Sequence, residues 1–229
     1  MTGQYQSIMN PIYVPTKGPE DWRLLLAEPE TQWKQGYSAK SLADCWEHAR
    51  GFPNEIKRPL DEAFPGIRPL LIIPELKVSL PGGRRASQND LWVLARTDKS
   101  RISITVEGKV EEPFGEQVSD WLEDASPGKL QRWEYLKKKL FLQQDPNGTI
   151  GYQLFHRTVS AILQAEEFGA SEAVMIVHSF SKNSSWYPDY AAFLDLFSIK
   201  AEKGRVQHSA KSNTIRVSFL WAKGKIPAK

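Results

Sequence analysis

The chain has 229 residues, a formal net charge of +3 from 30 basic and 27 acidic side chains, 41% hydrophobic residues, eight tryptophans and one cysteine, Cys45. That length and apolar content suit one domain with an ample core, and a single cysteine excludes an internal disulfide framework and points to a reducing compartment. The mildly basic balance permits a nucleic-acid partner without demanding one; the polar residues after Met1 make no secretory h-region, and no apolar run reaches the roughly 18 residues of a membrane span, so a cytoplasmic protein without a membrane partner is expected.

Residues 1–37 read as an irregular arm, broken by Pro11, Pro15, Gly18, Pro19 and Pro29 and anchored by Trp22, Leu24, Leu25 and Leu26. Ser38 is the expected N-cap of a helix over 39–49, in which Leu42, Cys45, Trp46 and Ala49 recur at i, i+3, i+4 and i+7, with Gly51 as the stop. A shorter helix over 54–64 is expected to be interrupted near Pro59. Leu70 to Ile73 open a strand that Pro74 places at an edge or bulge, and Leu76, Val78 and Leu80 continue it to a turn at Pro81-Gly82-Gly83. Strands over 89–96 and 102–110 follow across a short turn, which gives a three-strand antiparallel meander.

Helical spacing then takes over near 115–124, 128–143 and 149–168, the last with Leu154, Val159, Ile162 and Leu163 facing the core and Gly169 at its end. Ala173 to Val177 is a continuous apolar run, as in a strand buried on both faces. A helix near 187–198 and a strand over 214–221 complete the domain, and 222–229 reads as a polar, frayed tail.

The stretch from Ile102 to Val110 carries the chemistry. Ile102, Ile104, Val106, Gly108 and Val110 fall on one strand face, and Ser103, Thr105, Glu107 and Lys109 on the other. Glu107 can hold a hard cation, and Lys109 can sit over an attacking water or a phosphate oxygen. Asp90, which opens the apolar run Leu91 to Ala95, supplies a second carboxylate. Two clustered carboxylates repel, so one of them is expected to have a raised pKa without metal.

Asp90 followed by Glu107-x-Lys109 on the next strand resembles the active site of the PD-(D/E)XK nuclease superfamily, whose typical members are restriction endonucleases. The element order is similar to that superfamily's core: a first helix, a three-strand meander, a crossover helix and a further strand, over roughly residues 38–180. The resemblance implies a mixed α/β, restriction-endonuclease-like domain over 38–221, with a central mixed sheet flanked by helices and a helical insertion at about 115–143. It implies Mg²⁺ or Mn²⁺ held by Asp90, Glu107 and the main-chain carbonyl of Gly108, with Lys109 polarising the water and Gln153 lent by the crossover helix. The substrate would be DNA or RNA. Residues 33–39, 106–115 and 152–157 also resemble a group of bacterial proteins with no settled activity.

Each of these residues has a plainer reading. Glu107 and Lys109 could form an ion pair on a solvated strand face, with Asp90 at a turn, and Gly108 could mark a close backbone approach. Glu111 and Glu47 read as exposed charges, and Glu75 is open between site and surface. Arg157 could contact a phosphate; His156 is not needed by the Lys109 scheme, and His178 reads as a satisfied core or edge histidine. Cys45 reads as core. Lys137 to Lys139 read first as a solvated helix face and second as a phosphate-tracking patch. The alternative to a nuclease is a non-catalytic nucleic-acid- or protein-binding module on the same fold, including a defence-system component, and a homodimer or a protein partner fits either reading.

Overall fold

In the computed structural model, residues 12, 16–143, 145–146, 148–210 and 214–225 are described. Pro11, Pro15 and the end of the expected tail lie outside the described residues.

The arm is more regular than its prolines suggest. It holds a 3₁₀ turn, Pro19–Leu25, and a short helix, α1 (Pro29–Gln32), each with proline in its first positions, where a missing N–H costs nothing. Trp22 is its anchor, 2% exposed, with its indole N–H donating to Glu47 Oε1 at 2.7 Å. Leu24 is 84% exposed, against expectation. In a 3₁₀ turn the residues that share a face are three apart, so Leu25 follows Trp22 inward and Leu24 does not.

Helix α2 (Ser38–Ala49) begins at Ser38 itself, so Ser38 is not the N-cap; its N–H donates to Glu112 Oε1 at 3.2 Å. Helix α3 (Asn54–Ala63) runs unbroken through Pro59. Three strands follow: β1 (Arg68–Val78), β2 (Ser87–Arg96) and β3 (Arg101–Lys109). After them come α4 (Val118–Leu122), α5 (Pro127–Lys139), α6 (Tyr152–Glu167), β4 (Glu172–Ser179), α7 (Tyr187–Asp195), β5 (Gln207–His208) and β6 (Arg216–Lys223). The last strand takes in Ala222 and Lys223, and Gly224 N–H donates to the Ser179 carbonyl, so the tail does not fray at 222.

The sheet order is β1-β2-β3-β4-β6-β5. The first three strands form the expected antiparallel meander, while β3–β4 and β4–β6 are parallel, with α6 and α7 as crossovers. The fold is therefore mixed α/β, a six-strand mixed sheet with helices on both faces. Leu91, Val93, Ile102, Ile104 and Val106 join α2 and α3 in one core; Met175, Val177, Phe219 and Trp221 join α5, α6 and α7 in the other.

The polar parity of β3 is not solvated. Ser103, Thr105, Glu107 and Lys109 are at most 3% exposed, covered by α6. Buried polar side chains need partners. Ser103 accepts from Trp92 Nε1 at 3.0 Å, and Thr105 Oγ1 donates to the Arg157 carbonyl at 3.0 Å, which pins α6 onto β3.

Candidate active site

Register brings the acidic residues together. Leu91 faces Val106 across β2 and β3, so Asp90 follows level with Glu107. Pro74 faces Leu91 and Leu76 faces Asn89 across β1 and β2, so Glu75 lies level with Asp90. Glu75 has a φ of 53°, a left-handed conformation that costs a non-glycine residue on the order of 1 kcal/mol or more. Three adjacent strands thus present three carboxylates at one level of the sheet.

Two cations meet them. Lys109 Nζ donates to Glu107 Oε1 at 2.8 Å and to Gln153 Oε1 at 2.9 Å, and lies 5.1 Å from the Phe114 ring centre. Arg157 Nε donates to Glu107 Oε2, its Nη2 lies 3.7 Å from Asp90 Oδ1, and its Nη1 donates to Ser87 Oγ at 3.3 Å. Asp90 Oδ2 accepts the Gly108 N–H at 2.9 Å. The four side chains named from sequence, Asp90, Glu107, Lys109 and Gln153, therefore fall in one network, and Arg157 connects its two carboxylates. A Cβ on Gly108 would meet Ser38 Cβ at 3.4 Å and Asp90 Oδ2 at 3.5 Å, ordinary contact distances, so the start of α2 and Asp90 pack against Gly108 without requiring a glycine there.

The carboxylates differ in their electrostatics. Burial, then the charge of Glu107, push Asp90 up to about 7, against Arg157, Lys109 and the Gly108 N–H. Burial, then Asp90, push Glu75 up to about 8. Burial also works against the Glu107 anion, but Arg157 and Lys109 outweigh it and hold the pKa down at about 2.

Other sequence candidates fall elsewhere. Glu47 is the acceptor for Trp22 and for Thr16 Oγ1 (2.7 Å), so its role is structural. Glu111 is exposed and accepts from Ser181 and Ser185. His156 is 9% exposed, and burial, then Arg157, push its pKa well down, so it stays neutral beside Ser87. In the lysine run, Lys137 pairs with Glu134 and Asp145 and Lys139 with Glu166, while Lys138 is exposed. The Pro81-Gly82-Gly83 segment is a turn pressed on α5: a Cβ on Gly82, where φ is 78°, would come 2.1 Å from the Gly128 carbonyl oxygen.

A family profile described as a domain of unknown function, DUF6946, matches residues 15–226. The chain belongs to the DUF6946 family. No curated protein and no solved structure matches it. The match spans both the sheet and the network, so in this DUF6946 chain the arm from residue 15 and the β6 end belong to the same family unit as the acidic residues.

A second constellation in the DUF6946 chain was not apparent in its sequence. Cys45 of α2, Glu55 of α3 and His178 of β4 place one ligand atom each within 4.8 Å of one another. Their spacing along the chain follows no metal-binding pattern, so only the fold brings them together. The hydrogen bonds do not fit a metal. Trp46 Nε1, which can only donate, lies 3.3 Å from His178 Nδ1, so the ring proton sits on Nε2, which faces Glu55 Oε1 at 3.0 Å. A metal on Nε2 would need the opposite tautomer. His178 is a satisfied core histidine, as the sequence reading has it.

A cleft of about 590 Å³ opens beside the network, lined by Phe114, Gly115, Gly151, Trp186 and Asp189 among others. Phe114 lines it and has Lys109 Nζ over its ring. No helix among the described residues is long and apolar enough to cross a membrane.

Proposed function

We propose that this protein is a divalent-metal-dependent nuclease that hydrolyses phosphodiester bonds in DNA or RNA. The observation that carries the reading is the convergence of Asp90, Glu107, Lys109 and Gln153, which come from two meander strands and the crossover helix and meet in one network. The strand order β1-β2-β3-β4, antiparallel then parallel with a crossover helix, supports a PD-(D/E)XK-type core.

The donor set suits a hard cation. Its ligands are oxygens, and three carboxylates, Glu75, Asp90 and Glu107, lie level on adjacent strands, where a bound cation would favour their ionised forms. Asp90, Glu107 and the Gly108 carbonyl would hold Mg²⁺ or Mn²⁺, which when bound would supply Lewis-acid stabilisation and an activated water. Gln153 holds the Lys109 ammonium in place. That ammonium is the group available to stabilise charge developing on a phosphate oxygen.

The test is calorimetric titration with Mn²⁺ and Mg²⁺, run with cleavage assays on single- and double-stranded DNA and RNA. Asp90→Asn is the informative variant, because its amide oxygen can still accept the Gly108 N–H. The expected result is metal binding and cleavage in the natural protein, both lost in the variant. No heat of binding and no cleavage on any substrate overturns the reading.

One observation favours a second reading, a non-catalytic binding module on this fold. Both oxygens of Glu107 are already taken, by Arg157 and by Lys109, at 2% exposure. Nucleic-acid binding without metal uptake or cleavage is the result this reading expects.

A further inference from the structure

We infer that Arg157 is the resident cation of the carboxylate network: it stands in for a divalent ion in the metal-free protein, and metal uptake requires it to release Glu107. The inference rests on the nuclease reading and adds a regulator to that site.

Position comes first. Thr105 holds the backbone of α6 on β3 at Arg157, so the guanidinium is delivered to one level of the sheet. There it bonds Glu107 through Nε, approaches Asp90 Oδ1 to 3.7 Å and bonds Ser87 through Nη1, with its side chain 7% exposed. It is the group in contact with both carboxylates to which the metal is assigned. Burying these anions without a counter-ion would be strongly unfavourable, and a planar guanidinium can engage two of them at once.

Occupancy comes second. Glu107 offers two oxygens, one taken by Lys109 and one by Arg157. A metal cannot take a Glu107 oxygen unless one of them lets go. Lys109 is held from a second side by Gln153 at 2.9 Å and lies over the Phe114 ring, whereas the other contacts of Arg157, to Ser87 and His156 at 3.3 Å and to Asp90 at 3.7 Å, are all longer. Arg157 is therefore the one to yield. The exchange also selects among ions. A monovalent cation would replace one charge with one charge and lose the guanidinium's directed hydrogen bonds; a divalent ion brings a second charge to face Asp90 and Glu107. Arg157 thus tunes the site towards divalent ions and sets the concentration at which they enter.

The experiment compares the natural protein with Arg157→Gln and Arg157→Lys, using the full chain. Each is titrated with MnCl₂ by calorimetry in a KCl background, and thermal melts are recorded with and without Mn²⁺. Arg157→Gln is expected to melt lower without metal, to recover with Mn²⁺ but not with K⁺, and to bind Mn²⁺ at least about tenfold more tightly, since one charged hydrogen-bonding competitor is worth a factor of ten or more. Arg157→Lys keeps the charge with fewer bonds and is expected to bind several-fold more tightly than the natural protein. Binding by Arg157→Gln with neither binding nor cleavage by the natural protein overturns the nuclease reading and this inference with it. If the natural protein binds Mn²⁺ and neither variant binds it more tightly, the inference falls and the nuclease reading stands. If no form binds, both fall. If Arg157→Gln folds in neither buffer, the Arg157→Lys affinity alone decides, and a value no tighter than the natural protein's overturns the inference.

Discussion

Arg157 and Glu107 form an ion pair under α6 in which the side chains are 7% and 3% exposed. Breaking such a pair from one side strands the other charge, at a cost of about 3–5 kcal/mol. Glu107→Gln is therefore expected to lower stability by several kcal/mol in urea unfolding, because Arg157 and Lys109 both lose their anion. Asp90→Asn is expected to leave stability unchanged or to raise it near pH 7, because the buried Asp90 carboxyl has a raised pKa and the amide oxygen still accepts the Gly108 N–H. Equal losses in the two variants would refute this asymmetry. The sequence alone treats the two carboxylates alike; the fold separates them.

The same asymmetry fixes a pH dependence. Asp90 and Glu75 have folded-state pKa values raised to about 7 and about 8. They hold protons in the folded protein that the unfolded chain gives up near pH 4, so the stability they contribute is present below that pH and is lost as pH rises through about 7 to 8. Glu107 runs the other way: its contribution is present above its unfolded value and lost as pH falls towards about 2. Stability is expected to peak near pH 5 and to fall from there to pH 8. Asp90→Asn should flatten that fall; a decline of unchanged slope in the variant would remove Asp90 as its cause.

The meander, the crossover helix and the doubly buried β4 are legible in the sequence because their hydrophobic periods are unbroken. The burial of the polar β3 face is not. Ser103, Thr105, Glu107 and Lys109 alternate like a solvated face, and only the packing of α6 above them shows otherwise. Glu75 joins the network through register and a left-handed backbone, and neither is carried by local composition. The role of Arg157 depends on the pitch at which α6 crosses β3. Glu47 reads as an exposed charge until Trp22 folds back onto it.

Lys109 gives the prediction closest to chemistry. If its ammonium stabilises charge in the transition state, Lys109→Ala is expected to lower turnover by about two orders of magnitude or more with little change in substrate affinity. Lys137→Ala serves as the contrast. Its charge is taken up by Glu134 and Asp145, so the salt dependence of nucleic-acid binding should not change. A shallower salt slope in Lys137→Ala would restore the lysine run as a phosphate contact.

Trp22 tests whether the arm belongs to the domain. Its indole is 2% exposed and donates to Glu47, so Trp22→Ala is expected to cost about 3–5 kcal/mol in chemical denaturation. Trp22→Phe keeps most of the apolar area and removes the donor, for a smaller loss of about 1–3 kcal/mol. Leu24→Ala, at an exposed position, should change stability by less than about 0.5 kcal/mol. If Trp22→Ala is as mild as Leu24→Ala, the arm does not stabilise the fold.

Cys45 supplies a readout of the second constellation. Burial first, then the charge of Glu55, push its thiol up to about 12, and the S–H donates to Glu55 Oε1 at 3.7 Å. The thiolate is the reactive form, so at pH 8 the native thiol should react with a disulfide reagent far more slowly than a free cysteine. Glu55→Gln removes the neighbouring negative charge and should speed that reaction. It also deprives the His178 Nε2–H of its carboxylate partner, so some loss of stability should accompany the faster labelling. The tautomer set by Trp46 predicts that Zn²⁺ will not protect the thiol. Stoichiometric protection of Cys45 by Zn²⁺ in the native protein would show that His178 can turn its Nε2 lone pair to a metal, and the hydrogen-bonded reading of this cluster would then be wrong.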